Sequence, residues 1–486
     1  MSVSALLMAV IMLLLANAPE PENPWKAKIA DAVERAEQRR DLATIRDALD
    51  AAWRADDWRT GLKLIELARE TLSPKDDLPQ LRGRLVRALW RAGGMEAAEK
   101  LADQISGDTD DTVALRALIS IHLARGEADL AQRRAEQLAA CDSKTAEDLY
   151  HLFAVRFARR EYAGLPELLR KAERLINPRN GYPETFLAES IDGLAEFFAE
   201  VGTEPLNRIE RHGAATMTPL VMLGLPSCDV TINGHGPYKM VLDTGGSIML
   251  SLDQEVADEI GLKSIAPASV RGVSGQQETG QAIVDSLQMG NIGCRRVITR
   301  TFPVRAAVMN AADGIIGTGI FANGRLTMDF DNGQIVVAPS SPTAAAGRPV
   351  ALRLVGDAKL MTIVQLEGQP CVALLDSGAD AVAVSPSRLK ELLPDKEFIT
   401  VNPGIGLGIG GDDTPEISFG AGVDVELGGR TFENYSGLGL DVLDTLLSPI
   451  LGVRTDILIG MPTFRQTRSI TIDFPTCRMW IDWLEE

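Results

Sequence analysis

Residues 372–385 read VALLDSGADAVAVS. Val372, Ala373, Leu374 and Leu375 suit a strand buried on both faces, and Val382 resumes that character, yet Asp376, Ser377 and Gly378 stand between them. Placing a carboxylate among apolar neighbours costs free energy unless the acid has partners or a task. The chain does it twice. Residues 239–251 read KMVLDTGGSIMLS and put Asp243, Thr244 and Gly245 in the same frame.

With each aspartate as origin, the flanking sequences match in order. A hairpin precedes it, VTINGHGPYKMVLD (230–243) against VQLEGQPCVALLD (364–376), and a short helix follows, SLDQEVADEIGL (251–262) against SPSRLKELLPD (385–395). GVSGQQ then matches GIGGDD, with Gly275 and Gly411 lying 32 and 35 residues after their aspartates. SLQMGNI matches DVELGGR, DGIIGTGIF (313–321) matches DILIGMPTF (456–464), and LTMDFDNGQIVV (326–337) matches ITIDFPTCRMWI (470–481). Six landmarks in one order mark an internal duplication. The segment APSSPTAAAGRP (338–349) divides the copies.

These motifs resemble the retropepsin-like and pepsin-like aspartic proteases, and their bacterial exported branch in particular. The resemblance covers about residues 218–483 and rests on two Asp-Thr/Ser-Gly strand ends, two glycine-containing hairpins and the later IIG and LIG. It implies two all-β acid-protease lobes (216–340 and 348–486) in one chain, an Asp243/Asp376 catalytic dyad, and a peptide or protein substrate hydrolysed by an activated water. Two carboxylates sharing a proton can supply base and acid together, because like charges so close cannot both ionise. The resemblance further implies that Thr244 and Ser377 lock the acids coplanar, that Gly245 and Gly378 let the loops meet, and that Gly275 and Gly411 lie at flap tips. Asp380 matches the retropepsin acid that meets substrate backbone, with Ser247 as its counterpart. Three places after each acid, where pepsin-like sequences carry a hydroxyl, stand Gly246 and Ala379. Losing that donor destabilises the ionised form, so the expected optimum is weakly acidic to neutral. Neither flap segment carries the aromatic of pepsin-like flaps. The alternative reading is a non-catalytic peptide-binding or scaffold protein that keeps the fold, since fold alone does not give activity.

Composition bounds the rest. At 486 residues, 45% hydrophobic and 24% charged, the chain is globular with room for several cores. A formal charge of -18 argues against a nucleic-acid partner. Five scattered cysteines (141, 228, 294, 371, 477) and four scattered histidines have no metal-site or redox spacing, so no metal or cofactor is expected. Trp53, Trp58 and Trp90 suit helix packing, Trp480 and Trp483 the final strand, and His235 an exposed turn. Residues 1–22 combine an apolar run (5–16) with Ala16-Asn17-Ala18 and a proline-rich stretch. That pattern reads as a signal peptide or an uncleaved N-terminal membrane anchor, and either implies export to a periplasmic or extracellular location.

Residues 25–205 are rich in Ala, Leu, Arg and Glu with apolar residues at helical spacing. DDWRTGLKLIELA, GGMEAAEKLADQI, GEADLAQRRAEQL and REYAGLPELLRKA begin at Asp56, Gly93, Gly126 and Arg160, in steps of 37, 33 and 34 residues. The period resembles tetratricopeptide helix pairs, with an irregular helical bundle as the alternative. Such repeats imply a surface that recruits substrate or a protein partner. The expected fold is therefore a TPR-like α-helical repeat region followed by a two-lobed all-β acid-protease fold.

Overall fold

The computed structural model describes residues 24–485 except 106, 108, 143, 192, 221–222, 247–248, 273–274, 309, 357 and 402–415. The N-terminal apolar run, Ser247 and Gly411 lie outside the described residues. Among those described, no helix is long and apolar enough to cross a membrane.

Helices fill the first part of the chain, and the chain divides into two compact units within it. One comprises residues up to Leu81 together with Asn177–Thr185; the other comprises Arg82–Ile176 and Phe186–Glu486. In the first, helices Pro24–Arg39, Leu42–Ala55 and Trp58–Thr71 bury Ile45, Leu49, Leu64 and Ile65, and Trp53 meets Tyr182 edge-on at 4.8 Å. Asp41 and Asp57 cap the second and third helices by accepting the amides of Thr44 and Thr60. In the second unit, helices run from Met95–Ala102 to Leu194–Val201 ahead of the β-rich part.

The four repeat starts share one turn. Asp56, Gly93, Gly126 and Arg160 all have left-handed backbone, with φ of 57°, 85°, 71° and 62°. After each, the next amide reaches back five residues: Asp57 to Ala52 O, Gly94 to Leu89 O, Glu127 to His122 O and Glu161 to Arg156 O, at 2.8–2.9 Å. This closure satisfies carbonyls that a helix end leaves open. The period read from sequence is thus a period of helix-ending turns.

The β-rich part forms two similar lobes. In the first, strand Pro226–Ile232 pairs with His235–Asp243, and Gly314–Gly317 runs parallel to the latter with Gly317 beside Asp243. In the second, Lys359–Leu366 pairs with Gln369–Leu375, and Ile457–Ile459 runs parallel to that strand with Ile459 beside Leu375. Leu242, Ile316, Val372, Ala373, Leu375 and Ile459 are buried, so each aspartate leaves a strand walled on both faces.

A six-stranded sheet joins the lobes, and its centre is the antiparallel pair Gly324–Asp329 and Thr467–Asp473. Thr327 lies opposite Thr471, their hydroxyls 2.9 Å apart, while Leu326 faces Ile472 and Met328 faces Ile470. Thr327 therefore faces its own counterpart in the duplicated sequence, while Leu326 and Met328 each face the other's counterpart, as a local twofold at the threonine pair requires. A single apolar cluster containing Leu242, Leu326, Leu375 and Ile470 runs through both lobes.

Candidate active site

Each aspartate sits where a buried strand gives way to a tight turn, and the two turns meet tip to tip. Thr244 Oγ1 donates to Leu375 O at 2.9 Å and accepts from the Ser377 amide at 2.8 Å. Ser377 Oγ donates to Leu242 O at 2.8 Å and accepts from the Thr244 amide at 3.0 Å. Both hydroxyls are fully buried, so these four cross-lobe bonds form away from competing water. A hydroxyl is required at each position because each must donate and accept at once.

Closeness follows from the glycines. A Cβ on Gly245 would lie 2.5 Å from Asp376 Oδ1, and one on Gly378 2.6 Å from Asp243 Cγ. Any side chain there would force the lobes apart. The two carboxyls hydrogen-bond to one another. Each also accepts a backbone amide at 2.8 Å, Asp243 Oδ1 from Gly246 and Asp376 Oδ1 from Gly378.

Burial is the largest cause that pushes the Asp376 carboxyl well above its usual range, and the negative charge and hydrogen bond of Asp243 add to it. The Gly378 amide and the Lys359 ammonium pull the other way. The pair thus holds a proton well above the pH at which an isolated aspartate loses it, and the titration belongs to both acids.

At position 246 packing accounts for the absent hydroxyl. A Cβ there would meet Asp243 O, Asp243 Oδ2 and Gly317 Cα, each at 3.1 Å. Asp380 is exposed and paired with Arg465, whose guanidinium lies 2.7 Å from Asp380 Oδ1 and also donates to Leu223 O at 3.3 Å. Gly275 faces Gly272 at the end of the hairpin formed by Ala266–Gly272 and Gly275–Met289. In the second lobe, Ile399–Val401 pairs with Ile417–Leu427 and brackets the segment that contains Gly411. Ile399, Val401 and Phe419 are exposed on that hairpin.

Sequence reasoning passed over a second pair of acids. Asp313 Oδ2 accepts the Lys239 amide at 2.8 Å, and Asp456 Oδ2 accepts the Val372 amide at 2.9 Å, each four residues before the dyad aspartate of its lobe. Arg305 pairs with Asp313 at 2.7 Å and Arg454 with Asp456 at 2.8 Å. These anchors fix where each parallel strand pairing begins, and so how far each dyad aspartate projects. Their signal was present, since both open their matched motifs, DGIIG and DILIG. Among the described residues, no cluster of His, Cys, Asp and Glu could hold a metal ion, and all five cysteines are free thiols.

Comparison with known proteins bears on this geometry. A family model described as aspartyl protease matches residues 228–328 and again 362–463, one copy per lobe with one dyad aspartate in each. Among solved structures, the chain is similar to a retropepsin-like aspartic protease from Rickettsia conorii, at 14% identity and a TM-score of 0.19, over 27% of this chain and 93% of that one. No curated protein matches the chain by sequence. The β-rich part that carries both matches follows a helical region, as the sequence implied, and the tetratricopeptide character of those helices rests on their period and shared turn alone.

Proposed function

We propose that this chain is an aspartic endopeptidase in which Asp243 and Asp376 share one proton across the lobe interface. The observation that carries this reading is the reciprocal exchange between Thr244 and Ser377, which holds the two carboxyls in mutual contact. In the monoprotonated pair the ionised carboxylate takes a proton from a water held between the acids. That water attacks the peptide carbonyl as the protonated acid donates to the carbonyl oxygen, giving a diol. As its C–N bond breaks, one carboxyl protonates the departing amine while the other takes a proton from a diol hydroxyl, which leaves a carboxylic acid and restores the monoprotonated pair. No cofactor is needed for these steps.

The substrate is read as an extended peptide bound largely through main-chain hydrogen bonds, as an added strand, beneath the two hairpins. We read the helices of the second unit, residues 82–176 and 186–201, as a support that positions the lobes, and the helical region 25–205 as a surface that recruits substrate or a protein partner. Export, by a cleaved signal or an N-terminal anchor, is proposed from residues 1–22 alone.

The test is cleavage of a proteome-derived peptide mixture from about pH 3 to 8, read by mass spectrometry, for the wild-type chain and Asp376→Asn. New termini at internal bonds are expected from the wild type, with a loss of roughly a hundredfold or more in the variant. Retention of peptides without cleavage, from a folded sample, would favour the peptide-binding reading instead.

A further inference from the structure

We propose that Lys359 is a positioning residue of the dyad: tethered to the opposite lobe, its ammonium holds a fixed positive charge beside Asp376 and favours the ionised pair. This inference rests on the dyad reading above. Lys359 opens the strand Lys359–Leu366, which pairs with the strand leading to Asp376 through Met361 opposite Leu374. Its Nζ crosses the interface and donates to Gly245 O at 2.7 Å. Gly245 is the residue whose missing side chain makes room for the Asp376 carboxyl. Lys359 is half-buried, so its field reaches Asp376 with less screening than a surface charge would.

The charge is one-sided. The first-lobe hairpin pairs Ser227 with Val241 and the second pairs Met361 with Leu374, each partner two residues before its aspartate. Two residues before Ser227 stands Leu225, buried and apolar, where the second lobe has Lys359. The charged groups bearing on Asp376 are then Asp243, which favours the protonated acid, and Lys359, which with the Gly378 amide opposes it. The Arg465–Asp380 pair on the following turn largely cancels its own charge. Neutralising Lys359 removes a cation from this balance, so both apparent dyad pKa values rise and the active monoanion forms at higher pH.

The experiment compares kcat/KM against pH for the full chain, Lys359→Met and Lys359→Arg, on one peptide taken from the mixture above. For Lys359→Met the acid limb is expected to move up by about one pH unit, an activity loss of about tenfold on that limb with little change at the plateau, as an opposite charge near a carboxyl implies. Lys359→Arg should keep the wild-type limb. A uniform fall in kcat/KM with unmoved limbs, or an arginine variant that behaves like the methionine one, overturns the proposal and leaves the dyad reading intact. A second readout needs no turnover: the aspartate carboxyl carbons are titrated by NMR, with Asp376→Asn to assign the dyad signal. An upward shift in Lys359→Met supports the proposal, and an unmoved signal rejects it, even if the wild type cleaves nothing and the peptidase reading fails.

Discussion

Asp376 pays for its position with an unfavourable ionised form in the fold. Its folded-state pKa is raised, so the folded chain binds its proton more tightly than the unfolded chain does. The sign is then fixed: its contribution to stability is fully present below the ordinary aspartate range and is lost as pH rises through the folded value. Asp376→Asn removes that loss. The variant should be inactive yet more stable than the wild type at neutral pH, by about 1–2 kcal/mol, with the gap closing toward pH 3. Denaturant titrations at several pH values check this, and a gap that widens toward acid would contradict it. The acid was legible because an aspartate flanked by buried-strand residues is rare and occurred twice. Lys359 was not, since a lysine at a strand start has no sequence mark to separate it from an ordinary surface residue; only the fold brings it to Gly245.

At the scale of elements, two devices aim the strands. The first is the hydroxyl exchange between the turns. Ser377→Ala strands the Thr244 amide and the Leu242 carbonyl, both buried, and should cost about 2–3 kcal/mol, while Ser377→Thr keeps the donor and acceptor. Activity should fall with the first and largely persist with the second, measured as kcat on one peptide beside thermal melts. The second device is the ion pair behind each parallel strand, half-buried for Arg305–Asp313 and buried for Arg454–Asp456. Asp456→Ala leaves Arg454, only 5% exposed, with Glu391 at 2.7 Å as its remaining carboxylate and removes the acceptor of the Val372 amide, and should destabilise by about 2–3 kcal/mol in an unfolding titration. The hairpins and the order of landmarks were readable, because strand alternation, turn residues and duplication leave strong local patterns, whereas the parallel pairing of IIG and LIG with the aspartate strands came only with the fold. Asp313 and Asp456 were in plain view within the matched motifs. Their role was hidden because a buried acid and a solvated one look alike until the partner arginine is placed. Asp380 likewise reads as a substrate contact in sequence, and the fold gives it Arg465 as a partner.

Across the second compact unit, the helices are part of what holds the lobes. Met95 and Ala124 share an apolar cluster with Val372, Leu374 and Leu458, and Phe153, Phe197 and Phe198 share another with Ala266 and Ile298. The Arg454 amide donates to Arg91 O at 2.9 Å, so a helix end bears on the residue that pairs with Asp456. Arg353 grips both oxygens of Glu99 at 2.6 and 2.8 Å, with each side chain 13% accessible. Glu99→Ala should therefore destabilise this unit by about 3 kcal/mol, read by denaturant unfolding, far beyond an exposed ion pair. The helices themselves were readable from periodicity. Their attachment was not, because the apolar faces that meet the lobes look like any helix core in one dimension. On the proposed reading, the two halves of the duplicated region supply one shared catalytic pair. The most direct test is kcat/KM for the wild type, Asp243→Asn, Asp376→Asn and the double variant on one peptide near the optimum. A shared dyad predicts that each single change removes activity as completely as the double one, since the pair acts as a unit. Substantial activity in either single variant, or losses that multiply in the double, would contradict it.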